Sequence, residues 1–186
     1  MISYEGRNPR TINLPKTIYF DYPDWTPCRV GLLPATWMKY REDLAAIVRG
    51  HPRIFISEET RSHDFDAIAN PLYEAGQHTD CWGTVWNNIQ PGLDSAPVTA
   101  PLEDWAALES YDPPDPIREA AFGTRDWAAV ARGMQAQKDR GGLATGGGLM
   151  HGFMYMRLYY MRGFANLMID FATGDPRLVQ VIEMVE

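Results

Sequence analysis

Short apolar runs, each stopped by proline or glycine and followed by helical periodicity, constrain this chain most. Arg29–Leu33 has the length of a buried strand. Pro34 ends it, and Trp37, Tyr40, Leu44, Ile47 and Val48 then recur at helical spacing over Thr36–Arg49, up to Gly50. Arg53–Ile56 is a second run, Thr79–Trp86 a β-branched and aromatic third, and Leu143–Thr145 a brief fourth. Helices are expected at Leu102–Tyr111, from Pro116 behind the cap Asp115, over Thr124–Arg140, and from Leu149 to Ala172. A last helix follows Asp175, with Leu178, Val179, Ile182 and Val185 turned inward. Ser57–His78 is polar and irregular with a weak helix at Asp64–Ala69, and Pro91-Gly92 marks a turn. Residues 1–28 read as an irregular lead-in with a short strand at Thr17–Phe20. Strands alternating with helices imply a mainly parallel sheet with right-handed crossovers.

The chain has 186 residues, 45% hydrophobic and 22% charged, enough for one domain with a real core. A net charge of -7 speaks against nucleic acid, which needs a basic face. Cys28 and Cys81 form no metal-binding pair by spacing and read as free thiols of a reducing compartment. The first residues lack the apolar core of a signal peptide. The longest apolar stretch, Phe153–Phe171, is interrupted by Arg157, Arg162, Asn166 and Asp170, so no membrane span is expected. A soluble cytoplasmic protein is the expectation.

Three segments carry a family resemblance. They are Gly31–Trp37; His78–Trp86 with Pro101–Trp105 and Tyr111–Pro116; and Leu158–Asp170 leading into Asp175-Pro176. In this order, from about residue 29 onward, the chain resembles the uroporphyrinogen decarboxylase-like superfamily, especially the branch grouped with corrinoid methyltransferases. The resemblance implies a (β/α)8 barrel of the TIM type with its active site at the C-terminal strand ends. Such barrels need roughly 200–250 residues. The expectation is therefore an α/β fold in which residues 29–186 form the N-terminal half of a barrel.

Asp80 is the first catalytic candidate, because the resemblance implies a substrate-facing aspartate there and a carboxylate can stabilise developing positive charge. Trp82 and Trp86 alternate with Asp80 and would share its strand face, as pocket walls or as core. His151, beside Gly146–Gly148, and Tyr159 are further substrate-binding candidates, with core packing as the competing reading for Tyr159. The glycines fit a tight turn or an anion site at a helix N-terminus, but not a P-loop. His78 and Cys81 would point to opposite faces, so no metal is expected on this chain. The resemblance places a zinc site, and the rest of the barrel, beyond it.

One departure from the family decides between its activities. Its decarboxylases carry arginines after the first strand that hold substrate carboxylates; here that stretch is Ala35–Tyr40, with at most Lys39 retained. The expectation is therefore methyl transfer from a small methylated donor to a corrinoid carried by a partner protein, with no cofactor bound by this chain itself. Porphyrinogen decarboxylation is the alternative. A non-catalytic half-barrel, associating with another copy through open strand edges, is the third reading.

Overall fold

The computed structural model describes residues 9–28, 30–55, 64–139 and 153–186. They fall into two compact units: Met1–Ala67 with Asp126–Gly147, and Ile68–Arg125 with Gly148–Glu186.

The first unit is helical. Helix α1 (Pro9–Ile18) is tied to the segment behind it by buried Asn13, which accepts from the Asp24 N–H at 2.7 Å and donates to the Trp25 carbonyl at 2.8 Å. Helix α2 (Pro34–Gly50) opens on a proline that has no N–H to leave unpaired. It is two helical stretches joined at a kink at Arg41, and Trp37 before the kink and Leu44, Ala45 and Val48 after it share one core with Phe55 and Phe65, flanked by Leu32 and Ile54. Arg41, held at φ 40° inside α2, grips Asp66 with two bonds of 2.8 and 3.0 Å. Helix α3 (Trp127–Asp139) is capped by Asp126, whose Oδ1 accepts from the Ala129 N–H at 2.8 Å.

The second unit joins an antiparallel sheet to a helical layer. Strands β1 (Gly76–Thr79), β2 (Val85–Asn88) and β3 (Ala96–Thr99) pair in that order. His78 faces Trp86 across one ladder, and Trp86 faces Pro97 across the other. Buried Asn88 closes the second connection by donating to the carbonyls of Leu72 and Leu93. Helices α4 (Tyr155–Arg162), α5 (Phe164–Thr173) and α6 (Pro176–Val185) follow, the last capped by Asp175. Gly163 separates α4 from α5 at φ 74°, a conformation that costs glycine little. Leu158, Met161, Leu167, Leu178 and Val181 form a core with Leu102, whose N–H donates to the Met161 carbonyl at 2.9 Å.

This architecture corrects the expected parallel half-barrel: among the described residues the sheet is three-stranded and wholly antiparallel. The reason lies in the connections. Residues 80–84 and 89–95 join the strands, too short for the crossover of a dozen or more residues that parallel neighbours require. Thr79–Trp86, expected as one strand, is a hairpin, because the Asp80 carboxylate caps a turn at its middle and Gly83 supplies φ 81°.

Other expectations change for related reasons. Val30–Leu33 and Arg53–Phe55 pair with no strand; Leu32, Ile54 and Phe55 are apolar because they pack around α2. Thr17–Phe20 is the end of α1 and the turn behind it, so the lead-in holds a helix, and residues 64–69 make a turn in place of a helix. Leu102–Tyr111 contributes only a 3-10 segment at Trp105–Ser110, and the chain after Asp115 makes one turn before the Glu119–Thr124 bridge. The long helix expected from Leu149 breaks at Gly163, and Val179 faces outward while Val181 takes the buried place. Leu143–Thr145 and Gly146–His151 lie outside the described residues.

Leu102 is fully buried between the sheet-side loop and the helices. Leu102→Ala should lower the stability of this unit by about 2–5 kcal/mol, read from urea denaturation. A cost below about 1 kcal/mol would mean that this layer is not the core.

Candidate functional site

The turn at Asp80 organises the region where the expected site residues meet. Oδ1 accepts from the N–H groups of Trp82 and Thr84, each at 3.0 Å, and the backbone closes the same loop through Asp80 N–H to Thr84 O at 3.0 Å. Oδ2 accepts from the Trp86 indole N–H at 3.1 Å and from Arg157 Nη1 at 3.5 Å. Four donors thus occupy one buried carboxylate. The Arg157 guanidinium also lies 4.7 Å from the centre of the Trp82 ring, a cation–π distance. Tyr111 donates its hydroxyl to the Trp82 carbonyl at 2.8 Å, and Cys81 gives its N–H to Ala121 O.

Helix α4 carries this arrangement onward. Trp86 meets Tyr160 edge-on at 4.7 Å, and the Thr84 hydroxyl donates to the Tyr160 carbonyl at 3.3 Å. At the other end of α4, Arg162 forms a buried ion pair with Asp170, Nε to Oδ2 at 2.8 Å. Its Nη1 donates to the carbonyls of Leu102 and Glu103, the latter at 2.9 Å. Trp105 donates to Asp170 at 3.3 Å while its ring lies under Arg162 at 3.8 Å and near Arg177 at 5.0 Å. Buried charges persist only when paired and hydrogen-bonded, and both pairs meet that condition.

Between β3 and the α4–α5 junction these elements leave an open cleft of about 140 Å³. Tyr159, Tyr160 and Phe164 are its aromatic lining residues, Glu103 its acidic one, and Pro97 and Val98 lie on its sheet side.

The structure therefore brings Asp80, Trp82 and Trp86 together, through a turn and not along one strand face. Tyr159 sits on the neighbouring cleft, and His151 lies outside the described residues. His78 is turned elsewhere: its Nε2 lies 3.4 Å from the Ser95 hydroxyl, which donates to the Leu72 carbonyl. A serine that gives its proton to a carbonyl is not poised as a nucleophile toward that histidine. Burial, ahead of the Asp80 charge, pushes the Cys81 thiol up, which disfavours the thiolate needed for ligation or attack. Among the described residues no three His, Cys, Asp or Glu side chains gather as a metal site, and no helix is long and apolar enough to cross a membrane.

Sequence reasoning did not single out Arg157, Tyr111, Tyr160 or Glu103. Arg157 did leave a signal: a cation inside an otherwise apolar stretch needs a buried partner. No protein-family model, curated protein or solved structure matches the chain.

Two measurements bear on this cluster. Asp80→Asn and Arg157→Met should each cost about 3 kcal/mol, and the double variant less than their sum by at least about 1 kcal/mol. Strictly additive costs in urea unfolding would mean that the pair contributes no coupling.

The second concerns Tyr111, whose phenol burial, aided by the Asp80 charge and opposed by Arg157, pushes up to about 12. The unfolded chain releases this proton near the ordinary value of about 10. Stability is therefore complete below about pH 10 and falls as pH rises toward 12. Tyr111→Phe should flatten that alkaline decline, and an unchanged slope would remove Tyr111 as its source.

Proposed function

We propose that this chain holds the donor in an enzyme related to the uroporphyrinogen decarboxylase-like group, whose reaction is methyl transfer from a small methylated compound to a corrinoid-bearing partner. One observation carries the reading. Two of the three segments that bear the resemblance lie in one unit and line one small cleft: Glu103 from Pro101–Trp105, and Tyr159, Tyr160 and Phe164 from Leu158–Asp170. A cleft of about 140 Å³ suits a small donor group and is far below the size of a uroporphyrinogen macrocycle. The lack of the decarboxylases' arginines in Ala35–Tyr40 points the same way.

The reading rests on these residues and carries no parallel barrel with it. The aromatic walls orient the donor. Asp80 acts as a positioning residue: through Trp86 and the Thr84 turn it fixes Tyr160 on the cleft wall. Trp82 is held in place beside Arg157. The methyl group would leave without its bonding pair, which would stay on the donor heteroatom, and a reduced corrinoid on the partner would supply the electron pair needed to accept it.

The test incubates the protein with a reduced corrinoid carrier protein and a panel of methylated amines, thiols and aryl ethers, following the corrinoid absorption bands. Methylation by at least one donor, reduced by Tyr159→Leu, is the expected result. No methylation across the panel, or turnover of uroporphyrinogen, would overturn the reading.

A further inference from the structure

We propose that the cleft between β3 and the α4–α5 junction binds a methylated ammonium group. This deepens the function above by naming its donor class, and rests on that reading only for what becomes of the methyl group. Binding itself stands on the geometry alone.

The Tyr159 ring lies 5.3 Å from Tyr160 and 6.3 Å from Phe164, the latter at 80°. The three rings therefore turn a corner and do not stack flat. Among the residues lining the cleft, Glu103 is the one that is charged. Phe164 is 59% exposed, so its ring is accessible to a guest.

These features discriminate among guests. An anion would meet an acidic residue and electron-rich rings. A neutral apolar group would gain nothing from Glu103. A primary ammonium is strongly hydrated and would exchange its water for few acceptors. A methylated ammonium spreads its charge over an apolar surface, is weakly hydrated, and satisfies rings and carboxylate together. The cleft volume of about 140 Å³ accepts such a head group.

The cleft is also preorganised. Tyr160 is held by Trp86 and Thr84. The Glu103 backbone is held by Arg162 and by Asn166 at 3.1 Å. Little ordering is then left for the ligand to bring about.

The experiment titrates choline into the full chain by calorimetry and compares its neutral carbon isostere, in which a tert-butyl group replaces the trimethylammonium. Saturable choline binding is expected, with the isostere at least about fivefold weaker. Glu103→Gln and Phe164→Leu, both at exposed positions, should each weaken choline about threefold to tenfold while leaving the melting temperature in place.

A parallel flotation with phosphatidylcholine vesicles separates the sources of this chemistry. Choline-displaceable flotation assigns a lipid head group; its absence beside choline binding assigns a free small ammonium compound. No saturable binding at millimolar choline, equal affinity for the isostere, or indifference to both substitutions would overturn the proposal. Choline binding without methyl transfer would leave the site standing and remove the function above. Methyl transfer from donors lacking an ammonium group, without choline binding, would do the reverse.

Discussion

The Asp80 carboxylate decides the direction of the chain in the second unit. Its oxygens satisfy two backbone N–H groups inside one tight turn, so the strand that enters must leave antiparallel to itself. The same carboxylate then reaches Trp86 on the returning strand and Arg157 on a helix more than seventy residues further along the chain. A single side chain thus links turn, sheet and helix. No apolar residue could do so, because the unpaired N–H groups of Trp82 and Thr84 would remain in a poorly hydrated place.

Helix α4 is anchored at both ends by arginines that are almost buried. Desolvating a guanidinium is expensive, and such pairs often add little net stability over apolar replacements. Their contribution here is geometric. Arg162 joins the Leu102 and Glu103 carbonyls to Asp170, and Arg157 joins Asp80 to the Trp82 ring. Apolar packing alone would let α4 slide along its groove; directional bonds at each end fix its register.

This division explains what the sequence disclosed and what it hid. Helix α2 was legible because Pro34 and Gly50 bracket a run with clear helical spacing. The cap Asp175 marked the start of α6 for the same reason. The sheet was misread because Thr79–Trp86 has strand composition throughout, and only the capping role of Asp80 and the positive φ of Gly83 break it. That information lies in two residues whose side-chain and backbone roles a periodicity argument does not weigh. Leu32 and Ile54 show the converse, apolar for packing yet read as strand. Asp80, Trp82 and Trp86 were grouped by strand alternation and are brought together by a turn. Arg157 and Glu103 belong to contacts between distant segments, which a single sequence does not reveal.

The cleft inherits its shape from these anchors. Tyr159 and Tyr160 are adjacent on α4, and an adjacent pair on a helix does not ordinarily share one wall. Here the edge-on contact of Tyr160 with Trp86 draws one ring toward the sheet, while Tyr159 lies near Phe164 across the break at Gly163. Gly163 at φ 74° therefore has a role in the site as well as in the chain path: it redirects α5 so that Phe164 stands at the mouth and not one turn further along the same helix. An alanine there would meet no neighbouring atom, so its penalty would come from backbone strain alone, about 1–3 kcal/mol at φ 74° and ψ 154°. The alternative, straightening the α4–α5 junction, would carry Phe164 away from Tyr159. The aromatic corner thus depends on a residue with no side chain, and on two ion pairs whose charged groups lie outside the cleft.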